Sequence, residues 1–268
     1  MQLKYLIKIP KKKSIKEIKK YFKDNDLEIL IDSNKLNKIK KDMRFEKKIY
    51  KPDLQDLYRL HQLIILNKRI NVLEYGTGWS TLVILHALKL NEIKLKNQAR
   101  FLRFKKKFSL TVVNNEKKYN TISKKRINNF FNNKKINVDF CFSENLMTTH
   151  NGRICSYFRK HPTVNPDFIY IDGPDQFKIK GKINNLTIAN YEMMPMNSDP
   201  LTYENFLTPG TIILFDGRTA NARFLKNNFQ RDWRYYHDEK NDQFLLYLDE
   251  RPLGNINRMQ IKFYKEKL

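Results

Sequence analysis

The segment Asn71-Val-Leu-Glu-Tyr-Gly-Thr-Gly-Trp-Ser80 constrains the fold of this chain more than any other. An apolar run of strand character ends in an acid, Glu74, and the chain then passes through Gly76 and Gly78 into a helical pattern over residues 81–90. Lacking Cβ atoms, the two glycines let the backbone turn sharply and let a ligand approach it closely. The helix that follows turns unpaired N–H groups and the positive end of its dipole towards that ligand. Such a corner is how doubly wound α/β proteins hold nucleotide-like cofactors.

The rest of the chain alternates in keeping with that corner. Pro52 opens a helix expected over 53–67, whose Leu54, Leu57, Tyr58, His61, Ile64 and Ile65 share one face. Strands are expected at 70–74, 109–113, 138–142, 167–172 and 211–216, with helices at 80–90 and 117–131. Apolar runs alternating with helical patterns predict a parallel sheet covered on both faces. Two last strands, 233–236 and 244–248, are joined by too few residues for a parallel crossover, so they must form an antiparallel hairpin. The predicted class is α/β: a doubly wound, mostly parallel seven-stranded sheet that ends in an antiparallel hairpin.

Residues 1–50 read as a small, basic and largely helical N-terminal extension, and residues 51–268 as the main domain. Ile15, Ile18, Tyr21 and Phe22 recur at helical spacing; 28–32 reads as a short strand, and 33–43 as a second basic helix. No run approaches a membrane span, and the N-terminus, interrupted by Lys4 and Lys8, is a poor signal peptide. Cys141 and Cys155 show no metal-ligand spacing and provide no disulfide framework, which suits a reducing cytoplasm. The formal charge of +24 leaves nucleic acid open as a partner. The lysines are scattered, however, and accompany abundant Asn, Ile, Phe and Tyr, a bias that AT-rich coding produces unaided. No face of interleaved basic and aromatic residues accompanies them.

The cofactor is not a dinucleotide on this pattern. Thr81 stands where a third glycine would be, and a basic insertion over 94–107 displaces the acid expected about twenty residues on. Taken together, Glu74-Tyr-Gly-Thr-Gly-Trp-Ser80, Asp167-Phe-Ile-Tyr-Ile-Asp-Gly173, Leu207-Thr-Pro-Gly-Thr-Ile-Ile-Leu-Phe-Asp216 and the terminal hairpin resemble the Rossmann-like class of S-adenosylmethionine-dependent methyltransferases. The resemblance covers roughly residues 52–250 and is nearest to small-molecule O-methyltransferases and to methyltransferase-like proteins encoded with surface-polysaccharide genes. It implies S-adenosyl-L-methionine as cofactor and a small-molecule acceptor, such as a saccharide or nucleotide-linked sugar.

The resemblance also implies roles for individual residues. Gly76 and Gly78 pass beneath the methionine part of the cofactor, and Glu74 meets its ammonium group. Ser80 caps the following helix. The carboxylate that holds the ribose hydroxyls is replaced by Asn114, with Glu116 as a substitute if the loop is shifted. Ser143 falls near adenine, and Asp172 adjoins the cofactor. Asp172 and Asp216 are the candidate ligands of a magnesium ion, with Gly217 at the third ligand's position and Asp175 or Asn221 able to complete the shell. Without a metal, Asp172, Asp175 or His161 is the candidate general base. His61, on an apolar helix face, reads as a core histidine. The methionine-rich stretch 178–200 lies where a substrate lid would sit, and Arg218 and Arg223 could clamp an anionic substrate.

Two other readings are carried forward. An RNA methyltransferase would use the positive charge, but the chain has no Asn-Pro-Pro-Tyr motif at the fourth strand and no cysteine nucleophile in context. A non-catalytic scaffold would explain the loss of the ribose carboxylate at Asn114.

Overall fold

The computed structural model describes residues 6–35 and 51–266. A seven-stranded sheet forms the centre, made of β1 (Asn71–Tyr75), β2 (Ser109–Asn114), β3 (Val138–Phe142), β6 (Phe168–Ile171), β8 (Ile212–Asp216), β9 (Trp233–Asp238) and β10 (Gln243–Leu248). Their order across the sheet is β3-β2-β1-β6-β8-β10-β9. The first five are parallel, and β10 runs antiparallel to both β8 and β9. Parallel strands buried on both faces need continuous apolar runs, and all five residues of β1 and all six of β2 are buried. The chain order reverses beside β1, which places the crevice for a ligand at the carboxyl ends of β1 and β6.

Helices α1 (Ile15–Lys23), α2 (Glu28–Lys35), α3 (Leu54–Leu66), α4 (Trp79–Ala99) and α5 (Lys117–Phe130) cover one face. Asp53 caps α3, its carboxylate accepting the N–H groups of Gln55 and Asp56. The first half of α4 is buried on every side, which is why its apolar residues follow no single stripe. The core on this face extends into the N-terminal region through Ile7, Ile18, Phe22, Leu27, Leu30 and Ile31. Glu28–Asp32 is helical rather than a strand: Leu27, Leu30 and Ile31 fall on one helical face and all three are buried. Of the basic helix expected over 33–43, residues 33–35 belong to α2 and residues 36–43 lie outside the described residues.

The other face carries α6 (Asp199–Thr202) and α7 (Thr219–Lys226). It also carries a second sheet that the sequence pattern does not announce, made of the hairpin β4 (Asn145–His150) and β5 (Arg153–Phe158) with β7 (Ile179–Lys180) beside β4. β7 and the bridge between Ser156 and Asn197 stitch the long segment after β6 to that hairpin.

The last helix, α8 (Gly254–Lys265), closes the amino edge of the sheet. There the buried Asp167 carboxylate accepts the N–H groups of Ile70 and Asn71 and the hydroxyl of Tyr264. Arg69 lies over the Tyr264 ring, 4.1 Å from its centroid, and donates to the Gly210 carbonyl. Asp167, at the start of the Asp167–Gly173 motif, is thus a structural staple at the edge opposite the crevice.

Candidate functional site

The crevice is built on a contact between two backbones. Gly76 has φ +101°, and a Cβ there would lie 3.0 Å from the Gly173 nitrogen. A Cβ on Gly173 would lie 2.5 Å from the Gly76 nitrogen. These glycines therefore allow the tips of β1 and β6 to meet. Gly78 differs: its backbone is extended, and a Cβ would have open space apart from the Ser80 hydroxyl at 3.9 Å. Of the two glycines in the motif, Gly78 is the one that leaves room for a ligand.

Glu74 points from β1 towards the α3–α4 side and is fully buried. Ser80 donates to its Oε1 at 2.5 Å, while Oε2 has no partner. Burial pushes its pKa up to about 8, against the pull of the Ser80 and Thr81 hydroxyls. Ser80 therefore does not cap α4. Gly78 is the capping residue, and its N–H is taken by the Thr81 hydroxyl at 3.0 Å. The threonine that breaks the dinucleotide pattern closes the turn.

At the tip of β2 the amides face inward. Asn114 donates to the Glu116 carbonyl and to the Asn120 side chain. Asn115 makes a two-way clasp with the Asp175 backbone, both bonds being 3.0 Å. Glu116 sits before α5 with Lys178 at 3.6 Å. Ser143 is buried and accepts the Lys160 N–H at 2.7 Å, which ties the end of β3 to the loop after β5. Its hydroxyl is occupied in the fold.

The three candidate bases are not equivalent. His161 has Nδ1 at 2.9 Å from the Pro162 carbonyl and Nε2 at 2.6 Å from the Tyr75 hydroxyl, which also meets Tyr203. A neutral ring donating through Nδ1 and accepting through Nε2 satisfies this network, and burial lowers its pKa. Both nitrogens are committed. Asp175 accepts the Phe177 N–H and so shapes the turn after β6. Asp172 sits at the carboxyl tip of β6 with 55% of its side chain open to solvent.

The expected magnesium shell does not assemble. Asp216 receives the Tyr170 hydroxyl on one oxygen and the Gln243 amide on the other. Beside Asp172 lies the Arg218 guanidinium, its Nε 3.8 Å from Oδ1. Asn221, offered as a further ligand, donates instead to the Asn197 carbonyl. Among the described residues no group of three or more His, Cys, Asp or Glu side chains converges to hold a metal ion. The cation beside Asp172 belongs to the protein.

Sequence periodicity could not reveal two parts of this site. Asp56 on α3 joins the Asp216 cluster through Gln243, and burial with the Asp216 charge pushes its pKa up to about 8. The buried amides Asn145, Asn197 and Asn221 gather on the other face. Of these only Asn221 stood out in the sequence, and there as a metal ligand; Asn145 and Asn197 lie in mixed segments with no periodicity to single them out.

Five parallel strands closed by an antiparallel pair are what the sequence resemblance implies, and the structure sets them in the order β3-β2-β1-β6-β8 followed by β10-β9. The fold is a doubly wound, mostly parallel α/β sheet that ends in an antiparallel pair. No family model and no curated protein matches the sequence. Similar solved structures include an O-methyltransferase from Bacillus cereus in complex with SAH, 14% identical, covering 92% of this chain and 96% of that one at a TM-score of 0.41. Another is the O-methyltransferase TomG from Streptomyces achromogenes in complex with SAM, 13% identical, covering 91% and 92% at a TM-score of 0.39. The SAH-bound methyltransferase PaMTH1 from Podospora anserina is 10% identical, covering 74% and 80% at a TM-score of 0.45. With TM-scores this low, none of these likenesses bears on function, which rests on the site.

Proposed function

We propose that this protein is an S-adenosylmethionine-dependent methyltransferase that transfers a methyl group to a hydroxyl of a saccharide or related small metabolite. One observation carries the reading. At the glycine corner of β1, the buried Glu74 carboxylate keeps one oxygen without a partner. Burying an unpaired acceptor is costly, and a cationic ligand group removes that cost. The ammonium of the cofactor's methionine end fits there, above the backbone that Gly78 leaves open.

When bound, the cofactor supplies an electrophilic methyl carbon for in-line displacement, so positioning is the protein's main task. Glu74 orients the amino-acid end. Glu116, at the mouth of α5, is the remaining carboxylate near the tip of β2 for the ribose. Asp172, exposed at the tip of β6, takes the proton of the acceptor hydroxyl. The acceptor class rests on the sequence resemblance alone.

Calorimetric titration with S-adenosylhomocysteine, with and without magnesium, tests the reading. Micromolar binding that Gly78→Arg abolishes supports it and leads to an acceptor screen that starts with saccharides. Absence of binding by a folded protein overturns it. The inward-turned Asn114 amide favours one alternative, a methyltransferase-like scaffold without cofactor, and that result would select it.

A further inference from the structure

On the α6–α7 side of the crevice, polar atoms that the fold leaves unsatisfied gather in one place. Arg218, at the start of α7, is held by the carbonyls of Asp172 and Pro174 through Nη2 and faces the Asp172 carboxylate through Nε at 3.8 Å, while Nη1 is buried without a hydrogen-bond partner. One helical turn on, Asn221 gives its amide to the Asn197 carbonyl and keeps Oδ1 unpaired. Asn197 accepts the Asp199 N–H and keeps Nδ2 unpaired. The Asp199 carboxylate takes the N–H of Phe158, whose strand partner is Asn145. Both polar atoms of the Asn145 side chain are unpaired. All three asparagines are fully buried.

Folded proteins rarely leave buried donors and acceptors unmade, because each costs about 1–3 kcal/mol and charged groups cost more. A run of them along one wall marks a place where a ligand completes the bonding. Glu74, Asp56 and Asp216 lie on the α3–α4 side, which suits a cation. On the other side Arg218 keeps Nη1 for a ligand beyond its contact with Asp172, and the Asp199 carboxylate among the amides is taken up by the N–H of Phe158. An unpaired guanidinium nitrogen selects a carboxylate or phosphate oxygen, and amides able both to donate and to accept suit hydroxyls.

We propose that the acceptor binds along Arg218, Asn221, Asn197 and Asn145, and that it is a hydroxylated molecule carrying an oxyanion that Arg218 recognises without a divalent metal. The proposal rests on the methyltransferase reading for the word acceptor, but its binding claim is measured separately.

The experiment titrates the protein, saturated with S-adenosylhomocysteine in EDTA at constant ionic strength, with inorganic phosphate, glucuronate and glucose. The expected result is that phosphate or glucuronate binds at least tenfold more tightly than glucose; which of the two binds better tells phosphate from carboxylate. Arg218→Gln should weaken that binding at least tenfold, and Arg218→Lys should restore part of it. Lys125→Gln, on the exposed side of α5, should leave it unchanged. A retained affinity for S-adenosylhomocysteine in each variant shows that it folds. The proposal is overturned if neither anion outbinds glucose, if Arg218→Gln has no effect, or if binding requires magnesium in place of EDTA. Failure of S-adenosylhomocysteine itself to bind would sink the methyltransferase reading, while the Arg218 comparison, repeated without it, still decides the anion site.

Discussion

The Glu74 carboxylate has the most direct consequence at the scale of one residue. With its pKa raised to about 8, it is largely protonated at pH 7, and a bound ammonium favours its ionised form. Binding of S-adenosylhomocysteine at pH 7 should therefore release close to one proton from Glu74, seen as a buffer-dependent heat. Glu74→Gln should abolish that release and weaken binding roughly 10- to 100-fold, the worth of a charged hydrogen bond. Unchanged heats across buffers would argue against a role for Glu74 at the ammonium. The two glycines separate by the same logic. Gly76→Ala should destabilise the fold by about 1–3 kcal/mol, through overpacking against Asp172 and Gly173. Gly78→Ala should leave the unfolding midpoint unchanged while lowering cofactor affinity. Both glycines are conspicuous in the sequence, but their division of labour is not. It depends on Gly173, which approaches Gly76 only once β6 lies beside β1.

Among the elements, the segment between β6 and α6 was legible as a long insert but not as an anchored one. Gln176 donates its amide to the carbonyls of Ile188, Asn190 and Met193, and β7 pairs with β4. Gln176→Ala should raise hydrogen exchange over 183–193 with a stability loss of about 1 kcal/mol, because the bonds lost are partly exposed. No change in exchange would show that β7 alone holds the segment. The hairpin β4–β5 that receives this segment escaped the sequence reading because its strands lack clean alternation: β4 is half-buried along most of its length. The central parallel strands β1, β2, β6 and β8 were legible to within one residue at their ends because burial on both faces keeps them mostly apolar; the edge strand β3 is partly exposed and was found from its aromatic and β-branched residues. Glu28–Asp32 misled for the converse reason, since a short apolar run has no length to reveal its period.

For the molecule as a whole, the N-terminal region is joined to the α/β core by a buried polar relay. The Tyr21 hydroxyl meets His61 Nδ1 at 2.5 Å, and His61 Nε2 meets His86 Nδ1 at 2.9 Å. Burial lowers both imidazole pKa values, that of His86 to about 4. The folded pair stays neutral while the unfolded chain takes up protons near pH 6.5, so its contribution is full above pH 6.5 and falls as pH drops towards 4. The stability gap between the wild type and His86→Gln should narrow by about 2 kcal/mol from pH 7.5 to pH 5 in urea titrations. A constant gap would mean that His86 is protonated in the fold. The sequence placed His61 on an apolar face. It did not disclose its partners, because Tyr21 and His86 come from helices whose docking no local pattern encodes.

The meeting of Gly76 with Gly173 also bears on how this chain can change over time. Most close contacts in a core involve side chains, and a substitution on one side can be absorbed by a smaller neighbour on the other. Here both sides are main chain, so there is nothing to trim. Neither position can accept a side chain by exchange with its partner, and a double substitution doubles the clash. A lineage that lost either glycine would have to separate two central strands at their carboxyl tips. In this part of the molecule, divergence should be confined to the surrounding loops.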